Sequence, residues 1–284
     1  MKKYVTILSL CLISFLISKE RPKVAIVLSG GGSKGMAQIS TLQIIDSLNI
    51  PVDYIVGTSI GSITGALYSM GYSSDEILSE GFKTNWDIIY SNYKKREDLY
   101  FFQKDDYKKY PVTFNFSGIT PKIPLGITNG HASYMDINNK VAVYELLNDF
   151  DNFKIPFRCN SMDLISGQEI IFNGGSISKA LRASSSIPSV FNPVKDNSFL
   201  LIDGGVINNF PTDIAKNIGA DIIIGVNVSK PLKKTNDINT VFDILRQTIS
   251  LNGIQKRLEN KYHADILIEP ENLSSGSSYN RNSL

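Results

Sequence analysis

The chain is poor in the side chains that most often carry chemistry. Its 284 residues include two cysteines, two histidines and one tryptophan. Cys11 falls inside an N-terminal apolar stretch, so removal of that stretch leaves Cys159 alone and excludes an intrachain disulfide. Cys159 sits in the strand-like Pro156-Phe157-Arg158-Cys159-Asn160 and reads as a small core residue, not a nucleophile. Charge is also sparse, with 20% charged residues and a net +2. No basic stripe is interleaved with aromatics, so nothing argues for nucleic-acid binding and none is expected. Lys94-Lys95-Arg96 is answered by Glu97 and Asp98 and reads as a solvated surface. There is no internal repeat. No apolar run reaches the ~20 residues that span a bilayer. The longest, Tyr4 to Ile17, follows Lys2 and Lys3 and precedes Lys19-Glu20-Arg21, which is the pattern of a secretory signal. Removal is expected after Ser18, with an uncleaved membrane-tethering helix as the less favoured alternative. Leu8-Ser9-Leu10-Cys11 is rejected as a lipidation box because Leu10 is too large for the position before the cysteine.

What is present is alternation. Val24–Leu28 is a continuous apolar strand, and Gly35–Leu48 has helical spacing with Ile39, Leu42, Ile45 and Leu48 on one side. Asp53–Val56 is a second strand, followed by helical patterns at Ile63–Met70 and Asp75–Phe82. Further strands are read at Phe157–Met162, Glu169–Phe172, Phe199–Ile202, Ile222–Val226 and Asp265–Ile268. Helices are read at Ile177–Arg182, from near Pro211, and over Val241–Leu258. This order predicts an α/β fold with a mainly parallel sheet covered by helices on both faces. The length suits one domain with a full core. Residues 231–273 complete it with a helix and a strand, and 274–284 form a flexible, Ser/Gly/Asn-rich tail. Trp86 to Phe116 breaks the rhythm with ten aromatics among charges. It reads as an insertion packing its rings on the domain, with Val112–Phe116 as an alternating strand. The competing reading is a rim that meets acyl chains.

Three motifs carry chemistry. Gly57-Thr58-Ser59-Ile60-Gly61 follows the apolar Tyr54-Ile55-Val56 and precedes a helix. A serine at such a strand–turn–helix apex is exposed for attack on a carbonyl, and the flanking glycines remove side chains from the bend. Gly30-Gly31-Gly32-Ser33-Lys34-Gly35 lies between the first strand and its helix. Its exposed N–H groups suit a negative charge, so Gly30, Gly31, Gly32, Lys34 and Gly35 are candidate oxyanion-binding residues. The loop also formally matches a dinucleotide fingerprint, but the next strand runs into Gly57-Thr58-Ser59 without the acidic ribose ligand. It lacks the Gly-Lys-Ser/Thr order of a phosphate loop, so no nucleotide is expected. Third, Asp203-Gly204-Gly205 follows a buried strand, where a carboxylate can point into a site at the strand ends. Asp203 alone would also suit a simple turn bonding its own backbone.

The base is an aspartate or a histidine. A Ser-His-Asp triad is formally met by Ser59, Asp203 and His263. His263 lies between a helix and the start of a strand, the wrong end of a parallel sheet. His131 lies in a segment read as irregular. The favoured site is therefore Ser59 with Asp203 as its own base. Free aspartate titrates near ~3.9, and burial would have to raise it. Such a dyad is expected to keep activity through the imidazole range near ~6.5 and to lose it only as Asp203 protonates.

The ordered set G-G-G-x-K/R-G, G-x-S-x-G and D-G-G/A resembles the patatin-like phospholipase family. Here these are Gly30–Gly35, Gly57–Gly61 and Asp203–Gly205, and Arg182-Ala183-Ser184-Ser185-Ser186-Ile187-Pro188 resembles a block that precedes the aspartate. The resemblance covers about 22–230. It implies a three-layer α/β/α fold and a serine–aspartate acyl hydrolase acting on lipid or phospholipid esters at a membrane surface, without metal or cofactor. By position Ser59 is the nucleophile and Asp203 the base. Gly31 and Gly32 with neighbouring N–H groups hold the oxyanion, and Gly57, Gly61, Gly204 and Gly205 shape the turns. A signal before such a domain resembles bacterial secreted members, and export to the periplasm, the outer membrane or the medium is expected. Some of those members carry a C-terminal barrel, for which an end at Leu284 is too early. The alternatives are an α/β-hydrolase-type esterase using His263 and a lipid-binding module without turnover.

Overall fold

The computed structural model describes residues 21–91, 100–101, 115–117, 119–122, 125–229 and 231–270. The signal at 1–18, most of the aromatic stretch, including Val112–Phe114, and the tail at 274–284 lie outside the described residues. The strands are β1 (Val24–Leu28), β2 (Tyr54–Gly57), β3 (Asn115–Ser117), β4 (Thr120–Lys122), β5 (Gly126–Thr128), β6 (Phe157–Asp163), β7 (Glu169–Phe172), β8 (Ser189–Phe191), β9 (Val194–Asp196), β10 (Phe199–Asp203), β11 (Ile222–Val226) and β12 (Ile266–Ile268). The helices are α1 (Met36–Ser47), α2 (Ile60–Ser69), α3 (Ser74–Lys83), α4 (Trp86–Ser91), α5 (His131–Val141), α6 (Ile177–Ser184), α7 (Thr212–Asn217), α8 (Val241–Asn252) and α9 (Ile254–Lys261).

β1 shows why the sheet is covered on both faces. All five of its residues are buried, and successive side chains point to opposite faces. Val24, Ile26 and Leu28 join a core with Ile39, Leu42, Leu67 and Ile77 from α1, α2 and α3. Ala25 and Val27 join a smaller core with Phe210, Ile214 and Ala215 around α7. A strand apolar on both faces belongs inside a parallel sheet flanked by helices. β12, β11, β1, β2 and β6 run parallel in that order.

The exception to the parallel order is what builds the site. β10 runs antiparallel to β6, and β9 antiparallel to β10. β7 occupies one edge of β6, pairing with Cys159 through Met162. The other edge is shared. β2 takes its first part, ending with Gly57 opposite Cys159. β10 takes its last part, ending with Asp203 opposite Ser161. The two strands therefore meet head-on, with only Asn160 between their terminal partners. Each delivers its C-terminal residue to the same spot from opposite directions. The expectation that Asp203 sits at the shared carboxyl end of parallel strands is corrected in its reason: β10 is reversed.

Three other readings change. His131 opens α5 instead of lying in irregular chain. Its His131, Ser133, Asp136, Asn138 and Asn139 leave too thin an apolar pattern to read as a helix. The single helix over Val241–Leu258 is two, parted at Gly253, where a Cβ would stand 3.1 Å from Ile207 O. The apolar period runs through the break, so periodicity alone does not reveal it. Strands of three residues such as β8 and β9 are too short to show a period. Cys159 is fully buried in β6, and burial pushes its thiol up, as suits a core residue.

Candidate active site

Ser59 caps α2 from the end of β2. Its φ of 55° and ψ of −125° lie in a region that non-glycine residues rarely occupy, a conformation that costs roughly 1–3 kcal/mol. The turn is held by close backbone approach. A Cβ on Gly57 would stand 2.4 Å from Gly61 O, and one on Gly61 would stand 2.3 Å from Leu28 O. The strain presents Ser59 Oγ to Asp203, whose Oδ2 accepts its proton at 2.6 Å. Asp203 Oδ1 accepts from the Gly205 N–H at 2.7 Å. Both residues are buried, at 6% exposure each. Burial pushes the Asp203 carboxyl up to about 6, although the bonds from Ser59 and Gly205 pull it down. The Tyr90 hydroxyl is also pushed up, by burial first and by the Asp203 charge second.

One short segment braces both partners. Ser184, at the end of α6, accepts the Ser59 N–H on its Oγ at 3.0 Å. The Ser186 carbonyl accepts the Asp203 N–H at 2.9 Å. The buried Arg182 guanidinium holds this segment, donating to Ser186 Oγ, to Gly130 O at 3.2 Å and to Asn192 O at 3.2 Å. The serine run at 184–186 was legible as a block before the aspartate, but its bracing of Ser59 and Asp203 was not.

Behind the pair lies a buried polar web. Thr58 Oγ1 is 2.7 Å from Asn160 Oδ1 and 3.0 Å from Asn208 O. Asn160 Nδ2 donates to Glu169 Oε1 at 2.8 Å and to Asn208 O at 2.9 Å. Asn208 in turn donates to Glu169 and Asp213, and Lys256 bridges those two carboxylates. Asn160 occupies the gap between the strand ends, so this web ties β6 to both. No sequence motif marks these asparagines.

The glycine loop lies against Ser59. A Cβ on Gly30 would stand 3.1 Å from Ser59 Cβ and 2.3 Å from Asn209 Oδ1. The Gly30 N–H donates to Asn209 O, and Gly30 O accepts from Asn209 Nδ2, both at 3.1 Å. Gly30 therefore anchors the loop and does not offer its amide to a ligand. Gly31, Gly32 and Ser33 line a cavity with Ser59 and Asp203, whereas Lys34 lines neither cavity that opens on Ser59. Gly35 abuts Ile60, 2.4 Å from where its Cβ would be. Gly204 and Gly205 allow the chain past Asn160 and Asn209, where a Cβ on either would stand 2.5 Å from the asparagine's Oδ1.

Two cavities meet at Ser59. One is walled by Met36, Ile39, Ile63, Leu67, Ile77 and Ile89, with Trp86 and Tyr90 at its side. Trp86 stacks on Tyr90, which packs on Phe191. These two rings pack on the domain, as the insertion reading expects, and both also line this cavity. His263 lies between α9 and β12. It enters the edge strand β12 from its N-terminal end, three strands from β2, whereas Ser59 leaves β2 at the C-terminal end. Ser59 and Asp203 are brought together and His263 is not placed with them. Among the described residues no group of three or more His, Cys, Asp or Glu is arranged to hold a metal ion.

The strained serine, the glycine loop and the facing aspartate define one class of protein. The chain belongs to the patatin-like phospholipase family, whose sequence model matches residues 26–216. Rat patatin-like phospholipase domain-containing protein 7 is 31% identical over 207 residues, covering 72% of this chain and 13% of its own length. Neuropathy target esterase sws of Drosophila melanogaster is 30% identical over 207 residues, covering 72% and 13%. Lysophospholipase NTE1 of Phaeosphaeria nodorum is 28% identical over 211 residues, covering 72% and 12%. The chain thus spans about an eighth of the length of these relatives. Among solved structures it is similar to VipD from Legionella pneumophila, with a TM-score of 0.44 and 12% identity, covering 81% of this chain and 53% of that one.

Proposed function

We propose that the chain is a serine acyl hydrolase that cleaves carboxylic esters of lipids, with Ser59 as nucleophile and Asp203 as base. The observation that carries the reading is the 2.6 Å bond from Ser59 Oγ to Asp203 Oδ2 beside a largely apolar cavity that Ser59 lines. Family membership and similarity to a patatin-like phospholipase domain-containing protein and a lysophospholipase support it.

In the proposed reaction Asp203 takes the Ser59 proton as Oγ attacks the ester carbonyl. A carboxyl lifted to about 6 is a better base than free aspartate and is still ionised at neutral pH. The negative charge that develops on the carbonyl oxygen faces the Gly31–Ser33 backbone, where preorganised donors act most strongly in a dry site. Asp203 returns the proton to the leaving alkoxide. Water then attacks the acyl-enzyme, Asp203 accepts its proton and passes it to Ser59 Oγ, and the fatty acid leaves.

A fluorophosphonate probe labels an activated serine, so it separates this reading from a lipid-binding module without turnover. Wild-type protein is expected to be labelled at Ser59 and to hydrolyse a chromogenic acyl ester, and Ser59→Ala to lose both while unfolding at a similar temperature. Undiminished turnover in Ser59→Ala would remove the serine from its role.

A further inference from the structure

The apolar cavity beside Ser59 is small and has a charged end. Its free volume is about 70 Å³, against about 370 Å³ for the second cavity, which lies between the Gly30–Ser33 loop, the turn after Asp203 and the bend that joins α8 to α9. An engineered protein cavity of about 150 Å³ holds a benzene ring, so room for hydrocarbon is scarce in the apolar one.

α2 gives the depth of that cavity. Ser59 caps its N-terminus, and Ile63 and Leu67 line the cavity one and two turns further along. Leu67 is the lining residue of α2 that lies farthest from Ser59. Eight residues of helix advance about 12 Å. An extended hydrocarbon advances about 1.3 Å per carbon, so this depth houses about eight to ten carbons.

The far end is closed by α3 and α5. Among the described residues, Glu80, Asp136 and Lys140 are the charged side chains that line the cavity. Asp136 and Lys140 stand one turn apart on α5. The Lys140 ammonium donates to Asp136 Oδ2 at 2.5 Å and to Thr84 Oγ1 at 2.7 Å, and the Thr84 hydroxyl donates to Glu80 O at 3.0 Å. Glu80 is itself paired with Lys83 at 2.7 Å. Lys140 belongs to the end away from Ser59. Its carbonyl accepts from the Tyr72 hydroxyl at 2.9 Å, and Met70 O accepts from the Tyr144 hydroxyl at 2.7 Å, with Met70 and Tyr72 just past the C-terminal end of α2. The Lys140 side chain is only 11% exposed. A methylene driven against this group gains no apolar contact, and parting the pair would leave a desolvated charge unmatched.

We propose that the Lys140–Asp136 pair is the specificity-determining end of the acyl cavity, limiting the esters this chain cleaves well to those of medium-chain acids, with about eight to ten carbons. The selection acts on the acid side of the ester and is indifferent to the alcohol. The proposal rests on the ester-hydrolase reading above.

The test compares the p-nitrophenyl esters of butanoate, octanoate, dodecanoate and hexadecanoate, all presented in the same neutral-detergent micelles. Effects of presentation cancel when a variant's profile is divided by that of wild type. Wild-type kcat/KM is expected to hold from butanoate to octanoate and to fall by about tenfold or more at hexadecanoate, because methylenes past the end must leave an apolar setting. Asp136→Ala/Lys140→Ala removes both charges together and opens the end. In that variant the ratio of hexadecanoate to octanoate is expected to rise by about tenfold. Ile63→Phe fills the same cavity halfway down and leaves the pair in place. There octanoate is expected to lose about tenfold relative to butanoate. Thermal unfolding shows whether each variant is folded, and Ile63→Phe with the wild-type profile keeps the test decisive if the double variant is not. A wild-type rate undiminished at hexadecanoate, a ratio unmoved in the folded double variant, or equal losses on butanoate and octanoate in Ile63→Phe would each overturn the end stop and leave the hydrolase standing. If no ester is cleaved and a fluorophosphonate does not label Ser59, both readings fall.

Discussion

Ser59 leaves β2 at φ 55°, in a turn where neighbouring backbone leaves no room for a side chain on Gly57 or Gly61. Asp203 leaves β10 at φ −49°, an ordinary conformation, and is fixed by donors: its own N–H to Ser186 O, Gly205 N–H to Oδ1 and Ser59 Oγ to Oδ2. Both are buried and braced from the 184–186 segment, but packed backbone forces the conformation of Ser59 whereas hydrogen bonds to its carboxylate fix Asp203. The difference suits the roles proposed for the two residues. A nucleophile has to keep its oxygen at a fixed point through attack, and packed backbone does not yield. A base has to change charge, and a carboxylate in a cage of donors can be tuned.

The largest effect is expected from removing the tunable partner. Asp203→Asn keeps the shape and can still accept the Gly205 N–H, but it cannot take a proton. kcat is expected to fall by about 10²–10⁴. The same change should stabilise the protein. The wild-type carboxyl titrates at about 6 when folded and near ~3.9 when unfolded. Between those values the folded state binds more protons, so stability is lost as pH rises through the window and stays lost above it. Urea unfolding at pH 8 should find Asp203→Asn more stable by up to about 3 kcal/mol, with the gain gone at pH 4. A variant less stable than wild type at pH 8 would contradict the burial account. The pH–rate profile of wild type should fall below about 6. That inflection sits close to the range of an imidazole, nearer than a free aspartate would put it. The deciding observation is therefore its survival in His131→Ala and His263→Ala.

Next in size is a direct test of steric against hydrogen-bonded control. Gly61→Ala drives a Cβ into Leu28 O at 2.3 Å and Ser29 O at 2.6 Å, both backbone atoms of the central strand or its exit. The elbow must move, and displacement of about 1 Å costs about 10²-fold in kcat. Gly205→Ala also meets close atoms, but these are the side-chain oxygens of Asn209 at 2.5 Å and Asp203 at 3.0 Å. Side chains can turn, and the N–H donor remains, so the loss should be smaller by at least about tenfold. Equal kcat losses in the two variants would erase the distinction.

Much of this was legible in the sequence. β1, β7 and β11 were read to the residue, because uninterrupted apolar runs bounded by turns leave few options. Ser59 and Asp203 were legible because glycines mark where backbone bends sharply. The direction of β10 was not, since a five-residue strand looks the same read up or down, and its pairing with β6 is a long-range choice. The role of Gly30 was hidden for a similar reason. A glycine that anchors through Asn209 and one that offers its amide to a ligand have the same spelling. The web of Thr58, Asn160 and Asn208 was invisible because buried asparagines carry no periodicity and their partners come from four separate elements.

That web separates the two modes of control most finely. Thr58 belongs to the elbow, yet its hydroxyl reaches Asn160 on β6 and Asn208 O beyond β10. Thr58→Val keeps the volume and the β-branch while removing the hydroxyl. Asn160 Oδ1 then loses that donor in a fully buried position, a cost of about 1–3 kcal/mol in stability. Thr58 touches neither reacting atom, and the glycine contacts that force the turn are intact. kcat/KM should therefore fall by no more than about tenfold, with the inflection below about 6 unmoved. If instead the inflection shifts and kcat drops as far as in Gly61→Ala, the hydroxyl web and not the packed backbone is what aims Ser59.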